Sequence, residues 1–371
     1  MNIERQRLWI ISELFPPEET STAYIMGEIA EALSHKYDVG VLCGPEIYDP
    51  SRKRADNSIT TPKDYYVFRS ESHTFNKNSL TGKAKSFLST TLSIYKLAKK
   101  HIRQGDKVLM VTNPAPLILL MSRLKRKRNL ELSILVHDVF PENTVAAGIK
   151  LPFYGSVKRM FDKAYGKADK LIALGRDMAE LLKRKTNGKV DVQIIENWGD
   201  FDSIQVRPMP DTEKIILQYA GNIGRVQGLD RIVETLPDQI ELHFYGSGAM
   251  EESFKAYNKP NVFFHGPYTR SEQSDILEKC HISLVTLNDK MYGLGTPSKT
   301  YNILASGRPI LYFGPKDSEI ELLIKEHNIG FVGWPEYWEI DTLHEMGKRA
   351  RLVGEQFYSE KSILKKFIET I

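Results

Sequence analysis

The chain has 371 residues, of which 41% are hydrophobic and 26% charged, and a formal net charge of +4 at pH 7. This composition excludes a disordered or fibrous protein, and the length suggests two domains of about 150–200 residues each. No apolar run reaches the roughly 20 residues that span a bilayer, the N-terminal run is too short for a signal peptide, and two widely separated cysteines favour a reduced cytoplasmic setting.

The first half of the chain alternates predicted strands and helices. Strands are predicted at RLWIISELF, DVGVLCG, KVLMVT, LELSILVHDVF, KLIAL and VQIIEN, with a helix at YIMGEIAEALSHK between the first two. Alternation of this kind indicates a parallel sheet with helices on both faces. Residues 199–214 lose the periodicity and contain two prolines, so we interpret them as a linker.

A basic stretch runs from Asn76 to Arg128, where Asp106 is the single acid among many lysines and arginines. Two predicted helices in it, SFLSTTLSIYKLAKKHIR and APLILLMSRLKRKR, place apolar residues ahead of a basic end. Basic residues commonly finish a solvated helix, and they also bind anionic lipid headgroups, so both interpretations stay open. Binding to nucleic acid is disfavoured because no nucleic-acid-binding module is recognisable.

The second half repeats the alternation. Strands are predicted at KIILQYAG, IELHFYG, NVFFHG, ISLVTL, ILYFG and GFVG, and helices at GLDRIVETL, SEQSDILEKC and SEIELLIKEH, the second with Ser271 as its N-cap. The two halves together predict an α/β protein with two doubly wound, Rossmann-like domains that face each other across a cleft. Ligands of such sheets bind at the carboxyl ends of the strands.

One further helix is predicted in the segment GTPSKTYNILASG, with Thr296 as N-cap and Pro297 at its first position. Lys299 then lies in the first turn, where the helix dipole disfavours a cation. Either this side chain turns into solvent, or it shares a bound anion with the exposed N–H groups of the helix start.

Two glycine-containing turns follow predicted strands in the same half. YAGNIGRVQG contains Gly221, Gly224 and Arg225, and FYGSGAM contains Gly246 and Gly248. Glycine lets backbone N–H groups approach a phosphate, and arginine binds phosphate oxygens in pairs, although one glycine turn often only reverses the chain. With the lysine-bearing helix start, the two turns favour a diphosphate site. Neither the Walker pattern nor G-x-G-x-x-G is present.

In the first half, His137 and Asp138 follow a predicted strand in the segment VHDVFPEN. They are either structural or placed to contact a substrate in the cleft. The loop FPPEETSTAY carries Glu19, Thr20 and Ser21 toward the same cleft.

The order of these motifs resembles the GT-B-fold retaining glycosyltransferases of family four, in particular the bacterial branch that builds capsule, O-antigen and colanic-acid polysaccharides. The resemblance covers nearly the whole chain through FPPEETSTAY, VHDVFPEN, ADKLIALGRDMAELL, IIENWGD, YAGNIGRVQGLD, YGSGAM, NVFFHGPY and TPSKTYNILASGRPI. It implies transfer of a hexosyl or N-acetylhexosaminyl group from a nucleotide diphosphate donor, usually UDP-linked, with retention of configuration and without metal or cofactor. It also implies an acceptor domain over 1–200 with a C-terminal return helix at 356–371, and a nucleotide-sugar domain over 201–355.

The resemblance further implies that Arg225 and Lys299 neutralise the donor diphosphate and that His137 lies near the diphosphate or the donor sugar. The implied donor-binding residues are Gly221, Asn222, Gly224, Gln227, Tyr245, Gly246, Gly248, Pro267, Tyr268, Ser298, Tyr301 and Asn302. The implied acceptor or cleft residues are Asp138, Glu19, Thr20 and Ser21. The chain departs from the family at Gln227, where a lysine is common, and at Leu294 and Asn302, which replace two glutamates eight positions apart.

Members of this branch typically extend a sugar on a polyprenyl diphosphate, so we expect the basic helices to hold the protein against the inner face of the cell membrane. A glycan or a lipid-linked saccharide is the expected acceptor. Two alternatives remain: an enzyme like UDP-N-acetylglucosamine 2-epimerase, whose expected cluster of acids and histidines is not found, and a non-catalytic partner subunit. The missing glutamates favour the partner subunit, and the presence of Arg225 and Lys299 opposes it.

Overall fold

The computed structural model describes residues 5–18, 20–45, 64–71 and 80–371. In this part of the chain each half forms one parallel sheet with helices packed on it, which confirms the α/β class and the two Rossmann-like units. Glu19 and residues 76–79 of the basic stretch lie outside the described residues.

The first sheet has seven strands within the described residues, in the order β3-β2-β1-β4-β5-β6-β7. The strands are β1 Arg7–Ser12, β2 Asp38–Cys43, β3 Tyr65–Arg69, β4 Lys107–Val111, β5 Glu131–Val136, β6 Lys170–Ala173 and β7 Asp191–Ile194. The helices are α1 Ser21–Ser34, α2 Leu80–His101, α3 Pro116–Arg128, α4 Glu142–Ala146, α5 Tyr154–Tyr165 and α6 Arg176–Lys185. The central strands are almost wholly apolar and buried, as parallel strands covered on both faces require.

The second sheet has six described strands, in the order β10-β9-β8-β11-β12-β13. They are β8 Ile215–Ala220, β9 Ile240–Tyr245, β10 Val262–Phe264, β11 Ile282–Thr286, β12 Ile310–Phe313 and β13 Gly330–Val332. The helices are α7 Asp230–Glu234, α8 Glu251–Lys255, α9 Gln273–Leu277, α10 Lys299–Ala305, α11 Glu319–His327, α12 Ile340–Phe357 and α13 Glu360–Thr370. Residues 202–213 form no regular element, in agreement with the predicted linker.

The last helix, α13, returns to the first sheet and packs on α1. Ile363 and Phe367 are buried in the core of the first half, and Tyr24 Oη of α1 donates to the Glu360 carboxylate (2.6 Å). The chain therefore passes between the two halves twice, at the linker and before α13.

The structure corrects two predicted helix starts. The helix assigned to Ser271 as N-cap begins instead with a short 3-10 turn capped by Thr269, which exchanges hydrogen bonds with Glu272 in a capping box. The helix assigned to Thr296 and Pro297 begins at Lys299, and no side chain caps it. Strand β3 was not among the predicted strands, although its segment YYVFR consists mostly of aromatic and β-branched residues.

Helices α2, α3 and α5 lie side by side on the first sheet. The exposed face of α2 carries Leu88 and Leu92, followed by Lys96 and Lys100 one and two turns later. None of the described helices is both long and apolar enough to cross a bilayer.

Candidate active site

The two glycine-containing loops pack against each other at the carboxyl ends of β8 and β9. The N–H of Gly221 donates to the Tyr245 carbonyl (2.8 Å), and the N–H of Ile223 donates to the Ser247 carbonyl (3.0 Å). A Cβ on Gly246 would lie 2.0 Å from the Gly221 carbonyl oxygen, so this contact excludes any side chain. The strand order reverses between β8 and β11, and ligands of doubly wound sheets bind at such a point.

Gly248 is required for the same reason as Gly246. A Cβ on Gly248 would lie 2.2 Å from the Ile223 carbonyl oxygen. These two glycines are therefore explained by packing of one loop on the other. Gly221 is different, because the atom that approaches it most closely belongs to a lysine side chain.

That lysine is Lys299, whose side chain ends between the first loop and the ring of Tyr219. Its Nζ lies 3.4 Å from the Tyr219 ring centroid, and a Cβ on Gly221 would lie 3.1 Å from the same nitrogen. The nitrogen is buried and has no hydrogen-bond partner among the described residues. Burial lowers the pKa of Lys299 to about 7, from the ordinary lysine value near 10.5.

A buried ammonium without an acceptor is unfavourable, so this lysine needs an anion to be stable in its charged form. A cavity of about 10 Å³ beside its stem is also lined by Gln218, whose Oε1 is likewise buried and unpartnered. Such a cavity has room for about one water, whereas an ammonium has three N–H donors. Donors therefore remain for a ligand at the Gly221 loop.

Arg225 begins a short 3-10 turn that ends at Gln227. The end of β11 and the loop after it hold the turn, because Thr286 Oγ1 donates to the Gln227 carbonyl (2.7 Å) and the Asn288 N–H donates to the Val226 carbonyl (2.8 Å). The guanidinium of Arg225 is exposed and makes no hydrogen bond or ion pair with the described residues. It is a cation held on an anchored backbone and free to bind a ligand.

Asn222 and Gln227 flank the second glycine of the first loop. A Cβ on Gly224 would lie 2.7 Å from Asn222 Nδ2 and 2.7 Å from Gln227 Oε1. The Gln227 oxygen is buried without a partner. At the position where a lysine was expected from the resemblance, the loop therefore carries an amide and no charge.

Three other predicted donor-binding residues lie on the loop that follows β10 or beside it. Tyr245 is buried and stacks on His265, with ring centroids 4.3 Å apart. Tyr268 is half-buried, and burial raises its pKa. Burial also raises the pKa of Tyr219, with a smaller contribution from the nearby Tyr268. Pro267 is exposed.

Ser298, Tyr301 and Asn302 surround the start of α10. Ser298 is half-buried and makes no capping hydrogen bond. Tyr301 is only 1% exposed and packs on Tyr358 in the core, with ring centroids 5.1 Å apart, so the structure assigns it to packing and not to the donor surface.

Asn302 has both amide atoms engaged within the protein. Its Oδ1 accepts from the Asp200 N–H (2.9 Å), and its Nδ2 donates to Gln273 Oε1 (3.0 Å). Leu294, at the other departure from the family pattern, is buried in the core. Asn302 therefore joins α10 to the linker through Asp200 and to α9 through Gln273.

His137 lies at the carboxyl end of β5, in the other half of the molecule. Its Nδ1 is 3.5 Å from Thr22 Oγ1 of α1, while its Nε2 is buried and has no partner among the described residues. Burial lowers the pKa of His137 to about 4, so the ring is neutral at pH 7. Thr112 Oγ1 accepts from the backbone N–H groups of His137 and Asp138. Thr22 lies in the segment FPPEETSTAY but was not among the predicted site residues, and Thr112 belongs to no motif identified in the sequence.

The loop after β5 contacts the segment that leads into α10. Asp138 and Gly295 form an antiparallel bridge, and the Val139 N–H donates to the Leu294 carbonyl (3.0 Å). This contact lies one residue after His137 and four residues before Lys299. The two unpartnered nitrogens, His137 Nε2 and Lys299 Nζ, therefore belong to chain segments that meet at one seam between the halves.

Of the predicted acceptor residues, Asp138 lies at this seam. Thr20 caps α1, since its side chain accepts from the Ala23 N–H (3.1 Å), and Ser21 is the exposed first residue of that helix. Glu19 lies outside the described residues.

Comparison with known proteins identifies the family. The chain is 30% identical to the probable glycosyltransferase WbjE of Pseudomonas aeruginosa over 393 aligned residues, covering 97% of this chain and 96% of that protein. No protein-family model matches. The chain belongs to the glycosyltransferases.

Solved structures agree on the GT-B fold. Sucrose-phosphate synthase from Thermosynechococcus elongatus is 13% identical, with a TM-score of 0.75 over 99% of this chain and 98% of that one. HepE of Anabaena, solved in complex with UDP and glucose, is 12% identical, with a TM-score of 0.64 over 99% of both chains. At these identities the likeness concerns the fold.

Proposed function

We propose that this glycosyltransferase moves a sugar from a UDP-linked donor, with retention of configuration, to a glycan or a polyprenyl-diphosphate-linked saccharide in cell-surface polysaccharide biosynthesis. The observation that carries the proposal is the buried, unpartnered ammonium of Lys299 beside the Gly221 loop. A diphosphate supplies the acceptor that this group lacks. The UDP and glucose bound by HepE, a protein of the same fold, support the choice of donor.

In the proposed reaction, two cations stabilise the negative charge that develops on the leaving diphosphate. As the bond between C1 of the sugar and the diphosphate oxygen breaks, negative charge grows on the leaving phosphate, and Lys299 and Arg225 stabilise it. The acceptor oxygen forms its bond to C1 on the same face, and its proton passes to the departing phosphate oxygen. Fixed cations aimed at developing charge are usually the largest catalytic contribution, and we propose that they replace a metal here.

His137 has a separate role in this proposal. Because it is neutral at pH 7, its unpartnered Nε2 can form a hydrogen bond to a sugar hydroxyl or a phosphate oxygen without adding charge. Its position next to the seam, in the half opposite Lys299, supports this role. Asp138 and the start of α1 then border the acceptor side of the cleft.

The direct test is a panel of nucleotide sugars screened for thermal stabilisation, followed by turnover measurements with the best donor. Lys299→Ala and Arg225→Ala should each reduce turnover about a hundredfold or more, the scale for loss of one donor to a developing anion. The anomeric coupling constant of the product reports retention. Wild-type turnover in both variants would refute the mechanism.

The same reagents separate the two alternatives. An epimerase converts the UDP-sugar alone, without an acceptor, to its epimer. A non-catalytic partner shows no affinity for any nucleoside diphosphate in calorimetry. Membership of the glycosyltransferases favours the transferase over both.

We also propose that the basic ends of α2 and α3 hold the first half against the anionic inner face of the cell membrane. Arg126 and Lys127 of α3 are exposed, and each basic residue near such a surface contributes about 1 kcal/mol. Equal sedimentation with neutral and anionic vesicles would contradict this contact.

A further inference from the structure

A groove far from the donor loops lies between α3 and α5. Its volume is about 360 Å³, within the range of about 300–1,000 Å³ typical of small-ligand sites. Arg123 of α3 and Arg159, Lys163 and Lys167 at or near α5 line it. Arg123 comes from α3, whereas the other three come from α5 or the residues just after it, so the groove joins segments that are adjacent in space and separated in sequence.

None of the four cations forms an ion pair within the described part of the chain, and one makes a hydrogen bond. Arg159 donates to Ser156 Oγ (3.2 Å), also in the groove. The nearest acid on α5, Asp162, faces the other way and is bound by Lys158 (2.6 Å) and Lys185 (2.6 Å). The groove therefore concentrates positive charge that the protein itself does not neutralise, and like charges held together in this way favour an anionic ligand.

The floor of the groove is apolar. Leu119 and Ala164 line it together with Met160, which is 42% exposed. Phe153, one residue before α5, is 86% exposed. An inorganic anion makes no favourable contact with apolar side chains, whereas a phospholipid has acyl chains next to its phosphate that can bury them.

The surface of α2, in the same helix layer, also combines exposed apolar side chains with basic ones. Leu88 and Leu92 of α2 are about half exposed and precede lysines on the same helix face. A helix layer with exposed apolar side chains beside basic ones is typical of proteins that lie in the membrane interface. The groove opens within this layer.

We propose that the groove between α3 and α5 binds the phosphate of one anionic phospholipid headgroup, with Arg123, Arg159, Lys163 and Lys167 as its ligands. This proposal extends the proposed membrane contact, which by itself requires only diffuse charge and no built site. The groove is separate from the donor loops, so headgroup binding does not depend on the donor diphosphate.

The test uses the full chain and a soluble headgroup probe. Monomeric dihexanoyl phosphatidic acid, dihexanoyl phosphatidylcholine and inorganic phosphate are titrated by calorimetry, and vesicle binding is measured in parallel. The groove variant is Arg159→Gln/Lys163→Gln. The matched control is Arg126→Gln/Lys127→Gln, which removes the same charges from the exposed end of α3 outside the groove.

We expect phosphatidic acid to bind the wild-type protein and the control variant alike, and the groove variant at least tenfold more weakly. Phosphatidylcholine should not bind. Any of three results would overturn the headgroup site. These are an equal loss of phosphatidic acid affinity in the two variants, no binding of phosphatidic acid to the wild-type protein, and binding of inorganic phosphate as tight as that of the lipid.

Vesicle binding keeps the two proposals apart. If anionic vesicles bind the wild-type protein and both variants lose the same affinity, the membrane contact stands and the groove proposal fails. If vesicles of neutral and anionic lipid bind equally, the membrane contact fails.

Discussion

The pH dependence of UDP binding is the sharpest consequence of the buried lysine. With a pKa of about 7 for Lys299, about nine-tenths of the amines are charged at pH 6, half at pH 7 and about one-hundredth at pH 9. The charged form is the one that attracts a diphosphate. The association constant for UDP should therefore fall about 50-fold between pH 7 and pH 9, with a slope approaching tenfold per pH unit.

Other groups change little over this range. A phosphate monoester has its second pKa near 6, so the phosphates of UDP keep nearly constant charge above pH 7. His137 has a pKa of about 4 and stays neutral, and burial raises the pKa of the nearby phenols of Tyr219 and Tyr268. The difference in pH dependence between the wild-type protein and Lys299→Met can thus be attributed to one ammonium, because ionisation of the uracil ring of UDP is common to both.

The assay is isothermal titration calorimetry of UDP at pH 7.0, 8.0 and 9.0, in two buffers with different ionisation enthalpies. Binding should take up about half a proton at pH 7 and nearly one at pH 9, because the diphosphate restores the charge of the lysine. In Lys299→Met, which keeps most of the stem, affinity should be low and independent of pH, with no proton uptake.

The same variant provides a folding control with a definite sign. Between the folded pKa of about 7 and the unfolded value near 10.5, the unfolded chain binds more protons at this position than the folded one. The free energy of unfolding therefore rises with pH through that window, and the buried lysine destabilises the fold at its lower end. Replacing Lys299 should accordingly raise the melting temperature of the free protein at pH 7. A flat UDP affinity in the wild-type protein, or proton uptake that persists in Lys299→Met, would refute the assignment.

Further outcomes can be checked independently. Arg225→Ala should leave the melting temperature within about 1 °C of wild type, since an exposed side chain without partners contributes little to stability, and should lose turnover as stated above; a large loss of stability would show a structural role. Gly246→Ala should destabilise the protein by about 2–4 kcal/mol in urea unfolding and abolish UDP binding, because the new Cβ would lie 2.0 Å from the Gly221 carbonyl oxygen. The control is Gly105→Ala, at a glycine that also has a positive φ but has open space around it. A similar loss of stability in the control would assign the effect to φ alone. Lys185→Met should lower the free energy of unfolding by about 3–5 kcal/mol, because Glu142 and Asp162 lose the buried cation that pairs with both of them. An unfolding midpoint equal to that of the wild-type protein would contradict this. Turnover should be unchanged after dialysis against EDTA, and a loss restored by Mg²⁺ or Mn²⁺ would show that the fixed cations do not suffice.

The sequence predicted the architecture because its signals are local. Strands such as Ile310–Phe313 and Glu131–Val136 are continuous apolar runs, and their regular alternation with helices has one common solution, a parallel sheet. Helix starts were predicted less well. Near Ser271 the cap goes to Thr269, through a local capping box with Glu272, and near Thr296 no hydroxyl side chain caps α10 at all.

At the candidate site, too, the sequence predicted some features and left others to the tertiary structure. Gly221, Arg225 and Lys299 could be selected from the sequence as residue types that suit a diphosphate, but the roles of their neighbours could not. Tyr301 is buried against Tyr358, and Asn302 accepts from the Asp200 N–H of the linker, so both residues contact segments that are distant in the sequence.

The amino-acid sequence by itself determined the two parallel sheets, the glycine loops at their strand ends and the residue types available to bind an anion. These depend on apolar periodicity and on backbone freedom, both of which are properties of short segments. Tertiary structure alone decided that Lys299 ends against Tyr219 without an acceptor, that the segments of His137 and Lys299 meet at one seam, and that four basic residues from two separate segments share one groove. Burial and charge neutralisation depend on which distant segments meet, and no short segment contains that information.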